Sequence, residues 1–331
     1  MRAENPNRLP ELDFLRGLAV LFMIAVHSLM LYTARPDAKL WWGKIILFLG
    51  GAPAAPVFLF LMGYLVGLKP RAAFSGTVSK AAEILFLGYL LNVLRFSLPI
   101  WAGVPLKGDA WLGLFMIDIL QLAAPMMLVL WLLKNKPGIV PMVLMLVAAF
   151  AAPFAWGLTK TPHPFDFLWG DGYLVYFPLL PWAAFPLFGL CAAKLEARRR
   201  LALSFFLLVV GIAVLQLWPP DSEFYSYYRS APGATLWMMG FCGLWLAAAQ
   251  WIAPRVPALL FAPLKFFSRN VTSAYFFSWL ILSWGVALTG YRQLGLVGTL
   301  SVIVVATLLT AGAIVLWQMR PSYPVQRNKS G

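Results

Sequence analysis

Charge is scarce in this chain, and acid is the scarcest. Of 331 residues only 11% are charged, with 12 Asp+Glu against 26 Lys+Arg. A soluble domain carries roughly 25% charged residues. The shortfall, with 61% hydrophobic residues, excludes a soluble globule, a disordered chain and a collagen-like repeat. Cysteine and histidine number two each. Cys191 and Cys242 both lie inside apolar runs, which removes a disulfide framework and a Cys-based metal site. No HExxH, Walker loop, GxSxG or CxxC occurs. ATP-driven transport and metalloproteolysis are therefore poor readings, and no metal is expected. What is left is a polytopic membrane protein, in keeping with a mean hydropathy of +0.79.

A bilayer-crossing helix takes about 20 apolar residues. On that measure the sequence holds ten candidate spans, at 14–34, 45–68, 82–100, 111–133, 139–158, 174–193, 201–218, 234–252, 271–290 and 295–317. The expected fold is an all-α membrane bundle of about ten helices, one domain over 1–331 with a polar lead at 1–13 and a tail at 318–331. The first run follows that lead, carries Arg16 and His27, and shows no small-x-small site, so it reads as a span and not a cleaved signal. The net charge of +14 would suggest nucleic acid in a soluble protein. Here it orients the spans: seventeen loop cations fall on one side, and Arg35, Lys39, Lys44, Lys107, Lys160, Arg229 and Arg292 on the other. Basic residues crowd cytoplasmic loops, so both termini are expected in the cytoplasm and no nucleic-acid partner is expected. Prolines such as Pro53, Pro56, Pro125, Pro181 and Pro186 within spans fit kinked helices around a cavity.

Ionisable groups inside a bilayer are costly and mark function by default. Asp13, Arg16 and His27 in the first span, Arg95 in the third and Asp118 in the fourth qualify. Arg16 and His27 are eleven residues apart, about three turns plus 20°, so they share one face with a rise of about 16 Å. A guanidinium suits phosphate and an imidazole suits proton transfer near neutrality. The gap matches the reach of a pantetheine arm, with the helix rise as the ruler. The plain alternatives are a snorkelling anchor for Arg16 and a buried interhelical hydrogen bond for His27. Arg95 and Asp118 fall at a depth like that of His27 and point to a polar chamber, or else to a simple ion pair. Tyr89, Asn92 and Arg95 are spaced close to one face, as are Asp118 and Gln121, and these are acceptor-binding candidates. His163, between two loop prolines, reads as an exposed residue. Trp41, Trp42, Trp111, Trp169 and Tyr173 read as interface-belt aromatics, and Phe224–Tyr228 as a lid or belt.

The stretch Arg8-Leu-Pro-Glu-Leu-Asp13-Phe-Leu-Arg16-Gly17 followed by His27 resembles the opening of the transmembrane acyltransferase superfamily. That group includes the acyltransferase-3 and heparan-α-glucosaminide N-acetyltransferase-like membrane proteins. Arg16, ten residues and His27 match the acyltransferase-3 signature. Gly51–Gly63, Ile117–Gln121, Pro178–Gly189 and Ser268–Tyr275 are similar to later motifs of the heparan-type branch, in the right order. The resemblance implies a multi-pass enzyme that takes an acyl group from acetyl-CoA or another acyl-CoA and delivers it to a hydroxyl or amine of a saccharide. It implies His27 as the catalytic residue, as base or as acyl carrier, and Arg16 with Asp13 at the donor. The heparan-type branch often carries Asn where His27 stands and a His shortly after; Ser28–Lys44 holds none. An O-acetyltransferase of the bacterial inner membrane is therefore expected. Its acceptor chamber would hold Asp118, Arg95, Asn92 and Gln121, and its partners would be acyl-CoA, a glycan and membrane lipids, with a homodimer left open. The rival reading is a transporter or flippase of a polar or lipid-linked solute, to which kinked helices and midplane charges also belong.

Overall fold

The computed structural model describes residues 9–155, 166–170, 174–218 and 227–319. Helix α1, Pro10–Tyr32, starts on a proline that its first turn tolerates. The second predicted span is interrupted. α2 runs Trp41–Gly50 and α3 Ala55–Leu68, with Gly51–Ala54 turning between them at Pro53. α4, Phe74–Asn92, continues as a π-helix over Val93–Ser97. The Trp284 indole donates to the Leu94 carbonyl there at 2.9 Å. α5, Ile119–Leu133, and α6, Ile139–Ala155, follow. α7, Ala184–Ala192, sits after a helical break at Leu180. α8, Ala197–Leu217, and α9, Pro232–Ile252, pack on each other. α10, Ala258–Arg269, then leads to α11, Val271–Thr289, and α12, Leu296–Gln318.

Among the described residues seven helices are long and apolar enough to cross a membrane, and three shorter apolar ones occupy Ile119–Leu133, Ile139–Ala155 and Leu179–Ala192. No sheet forms among them; Thr33 with Leu294 and Ile117 with Val175 make isolated bridges. The protein is an all-α polytopic membrane bundle.

Two departures from the sequence reading have physical causes. The fourth span does not run from Trp111: a short turn at Ala110–Gly113 is followed by extended chain, and α5 begins after Asp118, its N-cap. That extended chain lies inside protein, where Ile117 N–H donates to Leu174 O at 2.8 Å and Asn92 Nδ2 to Met116 O at 2.7 Å. Non-helical backbone at membrane depth is tolerated only when satisfied in this way. The second departure is α10, which lies where a loop was expected. At twelve residues it is too short to span. Its buried face, Leu264, Phe267 and Ser268, packs on the start of α1, where a Cβ on Gly17 would strike the Leu264 backbone.

Helices approach closest at glycines. A Cβ on Gly63 would collide with the Pro186 carbonyl, and one on Gly189 with the Phe60 carbonyl, so α3 and α7 meet backbone to backbone. Their rings continue the contact: Phe60 and Phe188 stand 5.4 Å apart by centroid. Gly63→Ala should destabilise the protein by ~1–3 kcal/mol, read as a lower unfolding midpoint in mixed micelles. A Gly76→Ala control, with open space at its Cβ, should not.

Candidate functional site

α1 carries the centre of the site. Its outer stripe faces a cavity of about 1260 Å³. This exceeds the 300–1,000 Å³ common for one drug-sized ligand. Arg16 lines it near the start of α1 and His27 nearer the end, so the two groups share one wall. At the Arg16 end, the near mouth, the cavity lining includes Lys69, Arg71, Lys80, Lys134 and Arg269, and at the other end, the far mouth, Lys107, Tyr291 and Arg292, with Lys69, Arg71, Lys80, Arg269 and Lys107 exposed. Between them the wall is apolar, with Met23, Val26, Met30, Phe58, Met62 and Phe96.

His27 is held by rings. The Trp279 indole lies 4.0 Å from the imidazole by centroid at 33°, and Tyr275 stands edge-on at 6.4 Å. Both come from α11, four residues apart on one face. Nδ1 is buried without a hydrogen-bond partner; Nε2 is not buried in this way, so it is the nitrogen that opens on the cavity. Beside it Asp118 also reaches the cavity wall. Its Oδ2 accepts from Arg95 Nη2 and from Tyr275 Oη, the latter at 2.8 Å, and its Oδ1 accepts from Ile119 N–H at 2.7 Å. Gln121 Oε1 accepts from Asp118 N–H at 3.2 Å, closing a capping box at the start of α5.

Arg95 is buried in the π-helix of α4, its guanidinium 4.4 Å from the Trp279 ring and 4.6 Å from Phe96. Asn92 Oδ1 accepts from Arg95 Nη2 at 3.1 Å. Of the acceptor candidates, only Asp118 lines the cavity; Arg95, Asn92 and Gln121 stand behind the wall, as its scaffold. Tyr89 does not join them. It is 39% exposed on the outside of α4, because residues i, i+3 and i+6 fan over about 120° of a helix and do not stack. Asp13 is also off the cavity; its Oδ1 accepts from Ser268 Oγ at 2.6 Å and ties α1 to α10. Trp41 and Trp111 face outward, whereas Trp42 is buried against Leu29 and Ile46. Tyr227 and Tyr228 line the cavity, while His163, Tyr173 and Phe224–Ser226 lie outside the described residues.

The near mouth is positive and aromatic together. The Arg71 guanidinium sits 3.6 Å over Trp131, whose indole donates to Ala72 O at 2.7 Å. Lys134 Nζ donates to the terminal carbonyls of α3, Val66 O at 2.6 Å and Lys69 O, a C-terminal cap. Desolvation first, then the Lys194 and Arg71 charges, hold Lys134 below the ordinary lysine value. Lys80 pairs with Glu83 at 2.9 Å.

The family model for the heparan-alpha-glucosaminide N-acetyltransferase catalytic region matches residues 8–207. The chain belongs to that family. No curated protein matches it. The part matched to the heparan-alpha-glucosaminide N-acetyltransferase model runs from α1 into α8 and contains Arg16, His27, Arg95 and Asp118; Tyr275, Trp279 and Arg292 lie beyond it. Sequence reasoning passed over Trp279 and gave Tyr275 no role beyond the end of the Ser268–Tyr275 motif. Their one local signal is the i, i+4 spacing, which an aromatic content of 15% makes common. Among the described residues no three His, Cys, Asp or Glu side chains converge as a metal site would need.

Proposed function

We propose that the protein is an acyl-CoA-dependent membrane acetyltransferase that acylates a saccharide hydroxyl. It lies in the bacterial inner membrane with both termini in the cytoplasm, the side that the excess of loop cations favours. The observation that carries the reading is one cavity with Arg16 and the open His27 Nε2 on the same wall. The donor enters at the near mouth, where its phosphates meet Arg16, Arg71 and Lys69. Its arm extends along the apolar wall to place the thioester at His27. The acceptor arrives from the far mouth.

His27 Nε2 takes the proton of the acceptor hydroxyl as that oxygen bonds to the acyl carbon. The carbon–sulfur bond breaks, and the imidazolium returns its proton to the departing thiolate. Trp279 holds the imidazole in place by a tilted ring contact. Asp118 sits beside it with its charge already matched by Arg95.

Acetyl-CoA should stabilise the purified protein by ~2.7 kcal/mol at a hundred times Kd. The result is a higher unfolding midpoint, and Arg16→Gln should shrink the shift. A transporter or flippase would show no stabilisation by acetyl-CoA, and that result would overturn the reading.

A further inference from the structure

The far mouth has a charge that acetyl transfer to a neutral hydroxyl does not require. Arg292 and Lys107 line it, and a side recess of about 420 Å³ shares both and adds Arg35. Among the described residues no acid other than Asp118 lines the cavity or its recess. Asp109 caps the short helix at Ala110, accepting from Trp111 N–H at 2.8 Å and Leu112 N–H at 2.9 Å. Asp37 lies beside Gly295 at the start of α12, a site a helix dipole favours for acid. Asp118, the one carboxylate among the described lining residues, is paired with Arg95 deeper in.

Arg292 is held in an unusual way. It adopts φ +57°, a left-handed conformation uncommon for a residue with a side chain. Its backbone N–H donates to Leu31 O at 2.9 Å and its Nε to Met30 O at 2.9 Å, so it closes the last turn of α1. The Tyr291 ring lies 5.1 Å from the guanidinium. Capping uses only Nε and the backbone. The two Nη groups donate to no protein group among the described residues and are not buried, so they open on the cavity and its recess. A conformation this rare, held by three bonds of its surroundings including Leu294 N–H to Tyr32 O at 2.8 Å, fixes the guanidinium in place.

We infer that the far mouth is an anion subsite, and that the acceptor carries a phosphate or carboxylate gripped by Arg292 and Lys107 while its hydroxyl reaches His27. This rests on the acetyltransferase reading above. Met30 is three residues beyond His27, a rise of ~4.5 Å. The anionic group therefore sits beyond His27 toward the end of α1, either on a soluble acidic sugar or on a lipid phosphate.

The test uses the purified full-length protein and matched probe pairs: glucuronate and glucose 1-phosphate against glucose, and farnesyl phosphate against farnesol. The charged member of at least one pair should stabilise the protein, and its affinity should fall about tenfold in Arg292→Gln and in Lys107→Gln, the loss expected for one charge-assisted bond. A response to the sugar pair identifies a soluble acceptor; a response to the farnesyl pair identifies a lipid-linked one. Lys107 is exposed and makes no bond within the described residues, so its variant keeps the test valid if Arg292→Gln unfolds. Equal responses to charged and neutral probes, or unchanged affinity in both variants, overturn the subsite. Acetyl-CoA is run on the same samples. Its stabilisation should persist in both variants, which separates loss of the subsite from loss of fold. A wild type that ignores acetyl-CoA yet binds the anions would strike the acetyltransferase reading instead.

Discussion

His27→Ala should lower the rate of acetyl transfer by ~10²–10⁴-fold, the usual worth of a positioned general base, while acetyl-CoA still raises the unfolding midpoint. The expectation follows from geometry. The imidazole lies against the Trp279 ring, tilted by 33° at 4.0 Å between centroids, and its Nε2 opens on the cavity that also holds Arg16. Arg16 and His27 are about 16 Å apart along α1, so removing the base leaves the phosphate end of the donor untouched. Transfer of radiolabelled acetyl from acetyl-CoA to a membrane glycan fraction checks the rate, and thermal unfolding checks the donor. A folded His27→Ala protein that transfers at the wild-type rate refutes the mechanism.

The second large effect is on stability. Asp118→Ala should cost ~3–5 kcal/mol, because it strands the buried Arg95 guanidinium in a low-dielectric interior. It also removes the α5 N-cap, worth ~1 kcal/mol, and the acceptor for Tyr275 Oη at 2.8 Å. A double variant, Arg95→Met with Asp118→Leu, should recover much of the loss, since an apolar pair of similar volume is often neutral or better than a buried ion pair. Unfolding in mixed micelles measures both. If Asp118→Ala is as stable as wild type, the pair does not hold α4, α5 and α11 together. Activity then separates two roles: a double variant that folds but fails to transfer would show that Asp118 also acts on the cavity side.

The capping box of Asp118 and Gln121 shows how far local pattern reaches. Both residues were legible as a polar pair on one helical face. Their use as a helix start depended on extended chain at Met116–Asp118 finding partners in Asn92 and in Leu174–Tyr176. Hydropathy reads the same residues as the middle of a span, because it measures apolar content and not backbone direction. α10 escaped for the converse reason: twelve residues with Lys265 and Arg269 look like a loop to a measure tuned to bilayer thickness.

The composition alone settled the class of protein, a membrane bundle, and the period of one helix alone put Arg16 and His27 on a common face. Both follow from rules that act within a single segment: the thickness of a hydrocarbon layer and the turn of a helix. Tertiary packing decided the rest. It brought Tyr275 and Trp279 from α11 onto His27, joined Arg95 of α4 to Asp118 of α5, and set Arg292 over the last turn of α1. Those neighbours are separated by tens to hundreds of residues, and no local periodicity encodes which helix faces another; only close-packed interhelical contact does.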